Sequence, residues 1–204
     1  SPDERTFFLT ERPTRADLTK LLAPNAFWEE MAEHPDYDEW WRARDTRRAC
    51  YNIRPAMLVV GGTFDAEDCY GAWNLYKAVL RQSARTPLHL VVGPWAHGAW
   101  RGDGRTLGDF DFGEEASGAY YMEHFEAPFF DCYLWARDTV DRLPPVAAFS
   151  SGDNRWHTFG RWTPSEARKL TLYLADGGRI TTEKPTVKNS STSYTSDPDR
   201  KSVV

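Results

Sequence analysis

Between residues 56 and 98 the chain spells out a strand–helix–strand unit, and that unit constrains its architecture more than anything else in the sequence. Ala56-Met57-Leu58-Val59-Val60 is an unbroken apolar run closed by Gly61-Gly62, the pattern of a strand buried on both faces. After Asp65 the spacing changes. Cys69, Ala72, Trp73, Tyr76, Val79 and Leu80 recur at helical intervals and share one face. Pro87-Leu88-His89-Leu90-Val91-Val92 is a second buried strand, ending at Gly93-Pro94. Strand, helix, strand in this order demands a parallel pair joined by a right-handed crossover. The expected fold class is therefore α/β.

The flanks read differently. Residues 1–48 show helical runs over Ala16–Leu22, Ala26–Glu33 and Tyr37–Arg48 and no strand pattern, so they are expected to form a helical cap or lid. A further helix is predicted from Glu114 to Arg137. From Leu143-Pro144-Pro145 onward the chain turns β-like, with short strands at Val146–Phe149 and Leu170–Leu174 and a turn at Asp176-Gly177-Gly178. Thr186 to Thr195 reads as loop. The expected division is 1–48 cap, 49–142 α/β core and 143–204 a β domain. Two or three strands are too few for an independent β domain, so truncation at both ends is expected.

Composition removes several functions. A hydrophobic content of 41% suffices for a core, and a net charge of −5 without a basic, aromatic-interleaved stripe argues against nucleic acid as a partner. No apolar run approaches the ~20 residues that span a bilayer. Cys50, Cys69 and Cys132 are odd in number and lack CxxC spacing; buried thiols are expected, with neither a disulfide framework nor a zinc site. No signal peptide opens the chain. Localisation stays open, a periplasmic or secreted parent included, and so does assembly into a homo-oligomer.

Functional groups in open α/β sheets gather beyond the C-terminal strand ends. Asp65 follows the first strand and His97 the second, one crossover apart. An Asp that orients an imidazole, in the order Ser…Asp…His, is the α/β-hydrolase arrangement. The same residues admit a plainer reading, with Asp65 a helix N-cap and His97 a solvated loop residue. Asp103, Asp109, Asp111, Glu114 and Glu115 invite a calcium loop, but Arg105 occupies the third ligand position and excludes it. Trp156, Trp162 and Tyr173 could stack on a sugar; packing between sheets is the expected role.

Several motifs in order carry a family resemblance. Gly61-Gly62-Thr63-Phe64-Asp65-Ala66-Glu67-Asp68, Gly93-Pro94-Trp95-Ala96-His97-Gly98 and Leu107-Gly108-Asp109-Phe110-Asp111-Phe112-Gly113 together resemble the Xaa-Pro dipeptidyl-peptidase-like hydrolases, which include α-amino-acid ester hydrolases, cocaine esterase and cephalosporin acylase-type enzymes. Ser151-Gly152-Asp153-Asn154-Arg155-Trp156 with Trp162-Thr163-Pro164 resembles the opening strands of that family's C-terminal jelly roll, a galactose-binding-like β domain, and Ser193-Tyr194-Thr195-Ser196-Asp197-Pro198 resembles a further segment of it. His34-Pro35-Asp36-Tyr37-Asp38-Glu39-Trp40-Trp41 looks like its cap segment.

The resemblance implies an α/β-hydrolase core with a helical cap, followed by the start of a jelly roll. It implies Asp65 as triad acid and His97 as general base. Asp38 is the candidate for binding a substrate's α-ammonium group. The family's nucleophile sits in a Gly-x-Ser-x-x-Gly elbow, which this sequence lacks; Ser117 has no glycine two places before it. The nucleophile is thus expected upstream, in the missing N-terminal half of the catalytic domain. The implied reaction is acyl-enzyme hydrolysis of an ester, amide or short peptide, with no metal or organic cofactor. The rival is a non-catalytic β-rich module binding carbohydrate or protein, which would place Asp65 and His97 apart.

Overall fold

The computed structural model describes residues 14–22, 24–136, 143–186, 191 and 193. Three short helices come first: α1 (Arg15–Leu22), α2 (Ala26–Glu33) and α3 (Glu39–Arg44), with a 3-10 turn at Thr46–Ala49. Two of them open on side chains that satisfy free amide donors. Asn25 accepts from Trp28 N, and Asp38 accepts from Trp40 N and Trp41 N. The described residues of 14–49 contain no strand, as their spacing predicts.

The two apolar runs then pair in parallel as β1 (Met57–Gly62) and β2 (Leu88–Gly93), in register from Met57 against Leu88 to Gly62 against Gly93. The helix between them, α4 (Cys69–Gln82), buries Tyr76, Ala78 and Val79. Val79 and Ala78 pack with Cys50, Met57, Leu75 and Leu88 on one face of the sheet. Val91 and Ala147 face the other way, into a cluster with Trp95, Tyr121 and Phe125. Tyr121 and Phe125 belong to a nearly continuous helical stretch: α5 (Gly118–Tyr121), a π-helical turn at Met122–Glu126, and α6 (Ala127–Trp135). Before it, β3 (Thr106–Leu107) and β4 (Phe110–Asp111) form a small hairpin.

Trp95 is fully buried and explains two glycines. A Cβ at Gly93 would lie 2.4 Å from its ring, and one at Gly62 would lie 2.1 Å from its carbonyl oxygen. Both strand ends must lack side chains for the chain to fold back over them.

The β segment after Leu143 differs from expectation. β5 (Val146–Ser150) lies parallel to β2, and β6 (Arg155–Phe159) pairs antiparallel with β5, giving the sheet order β1-β2-β5-β6. These residues extend the α/β sheet rather than opening a second domain at 143. The physical reason lies in Leu143-Pro144-Pro145, where the β-like segment begins. Leu143 is buried, the Pro145 carbonyl accepts from Leu90 N, and the Pro144 carbonyl accepts from His89 Nδ1. Proline loses its amide donor but keeps its acceptor, and here both acceptors tie the segment to β2. The chain divides into two compact units after Gly160 instead. In the second unit, β7 (Tyr173–Ala175) and β8 (Arg179–Thr181) form a hairpin around the predicted turn at residues 176–178. Arg137 at the end of the predicted helix, and most of the stretches 186–195 and 193–198, lie outside the described residues.

Candidate active site

Because Gly62 and Gly93 are register partners, β1 and β2 end together. Their backbones remain tied beyond the sheet: Thr63 N donates to Gly93 O at 2.8 Å and Phe64 N to Trp95 O at 3.1 Å. The next residues on each side are thereby brought together. His97 Nδ1 lies 3.1 Å from Asp65 Oδ2.

Asp65 uses its oxygens separately. Oδ1 accepts from Glu67 N at 2.8 Å and Asp68 N at 2.9 Å, fixing the turn that leads into α4; Oδ2 meets the imidazole. The cap and the histidine partner are thus one residue. Its side chain is 1% exposed, while that of His97 is 54% exposed. Burial pushes the Asp65 carboxyl up, but the amides of Asp68 and Glu67 and the His97 ring outweigh burial and hold it below its ordinary value. His97 is raised above its ordinary value, chiefly by the hydrogen bond to Asp65 and then by the charges of Asp65 and Glu67.

Two acidic neighbours were not anticipated from the sequence. Asp68 Oδ2 stands 3.6 Å from the same Nδ1, and Glu67 also raises the imidazole. The signal was the run Asp65-Ala66-Glu67-Asp68, but only the tight turn decides that both side chains follow Asp65 to the histidine. The other nitrogen, Nε2, has no hydrogen-bond partner among the described residues.

The remaining candidates fall elsewhere. Asp38 caps α3 through Oδ1, and its Oδ2 meets His34 Nδ1 at 2.5 Å. Ser117 is buried and caps α5, its Oγ accepting from Tyr120 N at 3.1 Å. Arg105 engages both Asp111 oxygens and approaches Glu114 at 3.5 Å, so part of the acidic stretch is neutralised within the protein. Trp156, half-buried, packs against Trp95, Phe125 and Phe149 at the margin of the core and donates to Glu115 O. Cys50, Cys69 and Cys132 are free, and only Cys50 is buried. No described helix is long and apolar enough to cross a membrane.

Comparison with known proteins bears on the family and the fold. The sequence profile of the X-Pro dipeptidyl-peptidase (S15 family) matches residues 3–99. A Mycobacterium bovis protein named as a serine esterase is 30% identical over 188 residues, covering 91% of this chain and 25% of its own length. A second, from Mycobacterium tuberculosis, matches equally. The chain thus spans about a quarter of the length of the curated relatives it matches. Among solved structures, an aminopeptidase from a marine sediment Thaumarchaeota archaeon superposes with a TM-score of 0.76 at 33% identity, over 85% of this chain and 28% of that one. An α-amino acid ester hydrolase superposes with a TM-score of 0.73 at 28% identity, over 93% and 32%.

Proposed function

We propose, from the premise that the chain belongs to the X-Pro dipeptidyl-peptidase-like family, that it supplies the acid and the base of a serine hydrolase acting through an acyl-enzyme. The observation that carries this is the 3.1 Å contact between Asp65 and His97 at paired strand ends. A carboxylate on Nδ1 keeps the ring proton there and leaves Nε2 free to accept the proton of an attacking serine. His97 then returns that proton to the leaving group, while the adjacent carboxylate stabilises the transient imidazolium. The serine comes from outside these 204 residues, since no Gly-x-Ser-x-x-Gly elbow occurs among them.

Substrates in this reading are esters or amides of modest size: α-amino-acid esters, acyl-amides or Xaa-Pro dipeptides. Three carboxylates near one imidazole favour an acyl group bearing a cation such as an α-ammonium. Glu67 and Asp68 are better placed for that than Asp38, whose oxygens already hold α3 and His34. α1–α3 would form part of a cap over the site, and residues from 161 onward the opening of a jelly roll.

The test is to express the full-length polypeptide and assay it on activated esters and aminoacyl amides, with fluorophosphonate labelling of the serine. Turnover should fall by about 10³–10⁴ or more in His97→Ala. Wild-type turnover that survives this substitution would overturn the assignment.

A further inference from the structure

We propose that Asp65, Asp68 and His97 form a site for a divalent transition-metal cation, Zn²⁺ above all, and that its binding holds the imidazole in the wrong tautomer for catalysis. Two carboxylate oxygens converge on one ring nitrogen: Asp65 Oδ2 at 3.1 Å and Asp68 Oδ2 at 3.6 Å from His97 Nδ1. Each of the three residues offers one ligand atom, and all these atoms lie within 4.8 Å of one another. Zinc binds such ligands at about 2.0–2.2 Å in a tetrahedron, which puts neighbouring ligand atoms about 3.4 Å apart. The two distances to Nδ1 bracket that value, and the two carboxylate oxygens, no more than 4.8 Å apart, can close to it by rotation of the Asp68 side chain. Asp65 is fixed by the amides of Glu67 and Asp68, whereas Asp68 is two-thirds exposed and free to close on the ion. The donor set suits zinc, because imidazole favours it and a hard ion such as Ca²⁺ demands six to eight oxygens.

The consequence follows from proton placement. A neutral imidazole carries one proton. With Zn²⁺ on Nδ1, that proton must sit on Nε2, the nitrogen that otherwise accepts the serine proton. The metal thereby inactivates the base without touching the serine. The binding claim rests on geometry alone; the inactivation claim rests on the hydrolase reading above.

The experiment is calorimetric titration of the full-length polypeptide with Zn²⁺ at mildly alkaline pH, with Ca²⁺ as a second arm. Expected is one zinc per chain, weakened at least about tenfold in His97→Ala and in Asp68→Asn, since losing a ligand costs no less than losing an outer-shell partner. Thermal melting of both variants checks folding, and Asp68, being exposed, supplies a variant that keeps the fold if His97→Ala does not. Absence of binding, equal affinity in the variants, or comparable Ca²⁺ affinity would overturn the site. Ester turnover, measured in parallel, should fall with the same zinc midpoint and return with a chelator. Retained turnover on a zinc-loaded protein would overturn the tautomer argument. A polypeptide that binds zinc but cleaves no ester would sink the hydrolase reading while leaving the site standing.

Discussion

A carboxylate whose two oxygens have different tasks answers differently to each substitution, and Asp65 is such a group. Asn keeps an oxygen for the amides of Glu67 and Asp68 but turns a donor toward His97, reversing the tautomer preference. Asp65→Asn in the full-length polypeptide should therefore lower turnover by about 10⁴ while its melting temperature stays near that of the parent. Asp65→Ala loses the turn as well and should cost about 1 kcal/mol in addition, readable by denaturant titration. The histidine gives a second prediction. Its upward shift moves the acidic limb of kcat/KM above the ordinary imidazole range, because only the neutral ring accepts a proton. Asp68→Asn removes a charge 3.6 Å from Nδ1 and should move that limb downward. For stability the signs are opposite in the two partners. The raised His97 stabilises the fold below its ordinary value, and this is lost as pH rises through the folded one. The lowered Asp65 stabilises above its ordinary value, and this is lost as pH falls through the folded one.

At the level of elements, the strand ends are where packing is least forgiving. Gly93→Ala would set a methyl 2.4 Å from the buried Trp95 ring, and overpacking of this kind costs about 1–3 kcal/mol. Chemical denaturation should show that loss, together with reduced turnover, since the same strand end carries His97. The β1–α4–β2 unit was legible in the sequence because both of its strands are unbroken apolar runs, although only β2 is buried along nearly its whole length and β1 stays half-buried at Met57, Leu58 and Val60. β6 was not. It lies at the sheet's edge, with Arg155, His157 and Thr158 exposed, so no apolar pattern marks it. β5 was legible as a strand but not as a member of this sheet, because neither composition nor period says which neighbour a strand will choose. The site followed the same division. Asp65 and His97 could be paired from their places after successive strands, whereas Asp68 needed the turn geometry, and the cap that Asp38 forms on α3 shows only in the structure.

On the scale of the whole molecule, β1 is the outer strand of the described sheet. A cavity of about 680 Å³ runs along it, lined by Trp41, Val60, Ala72 and Leu75 among others. An outer strand with apolar walls seeks a partner. The 204-residue polypeptide on its own should therefore bind a hydrophobic dye or associate, and should not cleave activated esters. Sharp monomeric elution, or wild-type-like turnover, would count against this. The strand register also carries a kinetic meaning. Asp65 and His97 are 32 positions apart in the chain, and closing the single loop from β1 through α4 to β2 brings them together. The entropy of closing a loop grows only slowly with length, and contacts of modest sequence separation form early in folding. The Asp–His pair should then be assembled as soon as this one unit zips up, ahead of any partner drawn from farther along the chain. On the proposed reading, half of the catalytic apparatus would be in place before the site has a substrate pocket to serve.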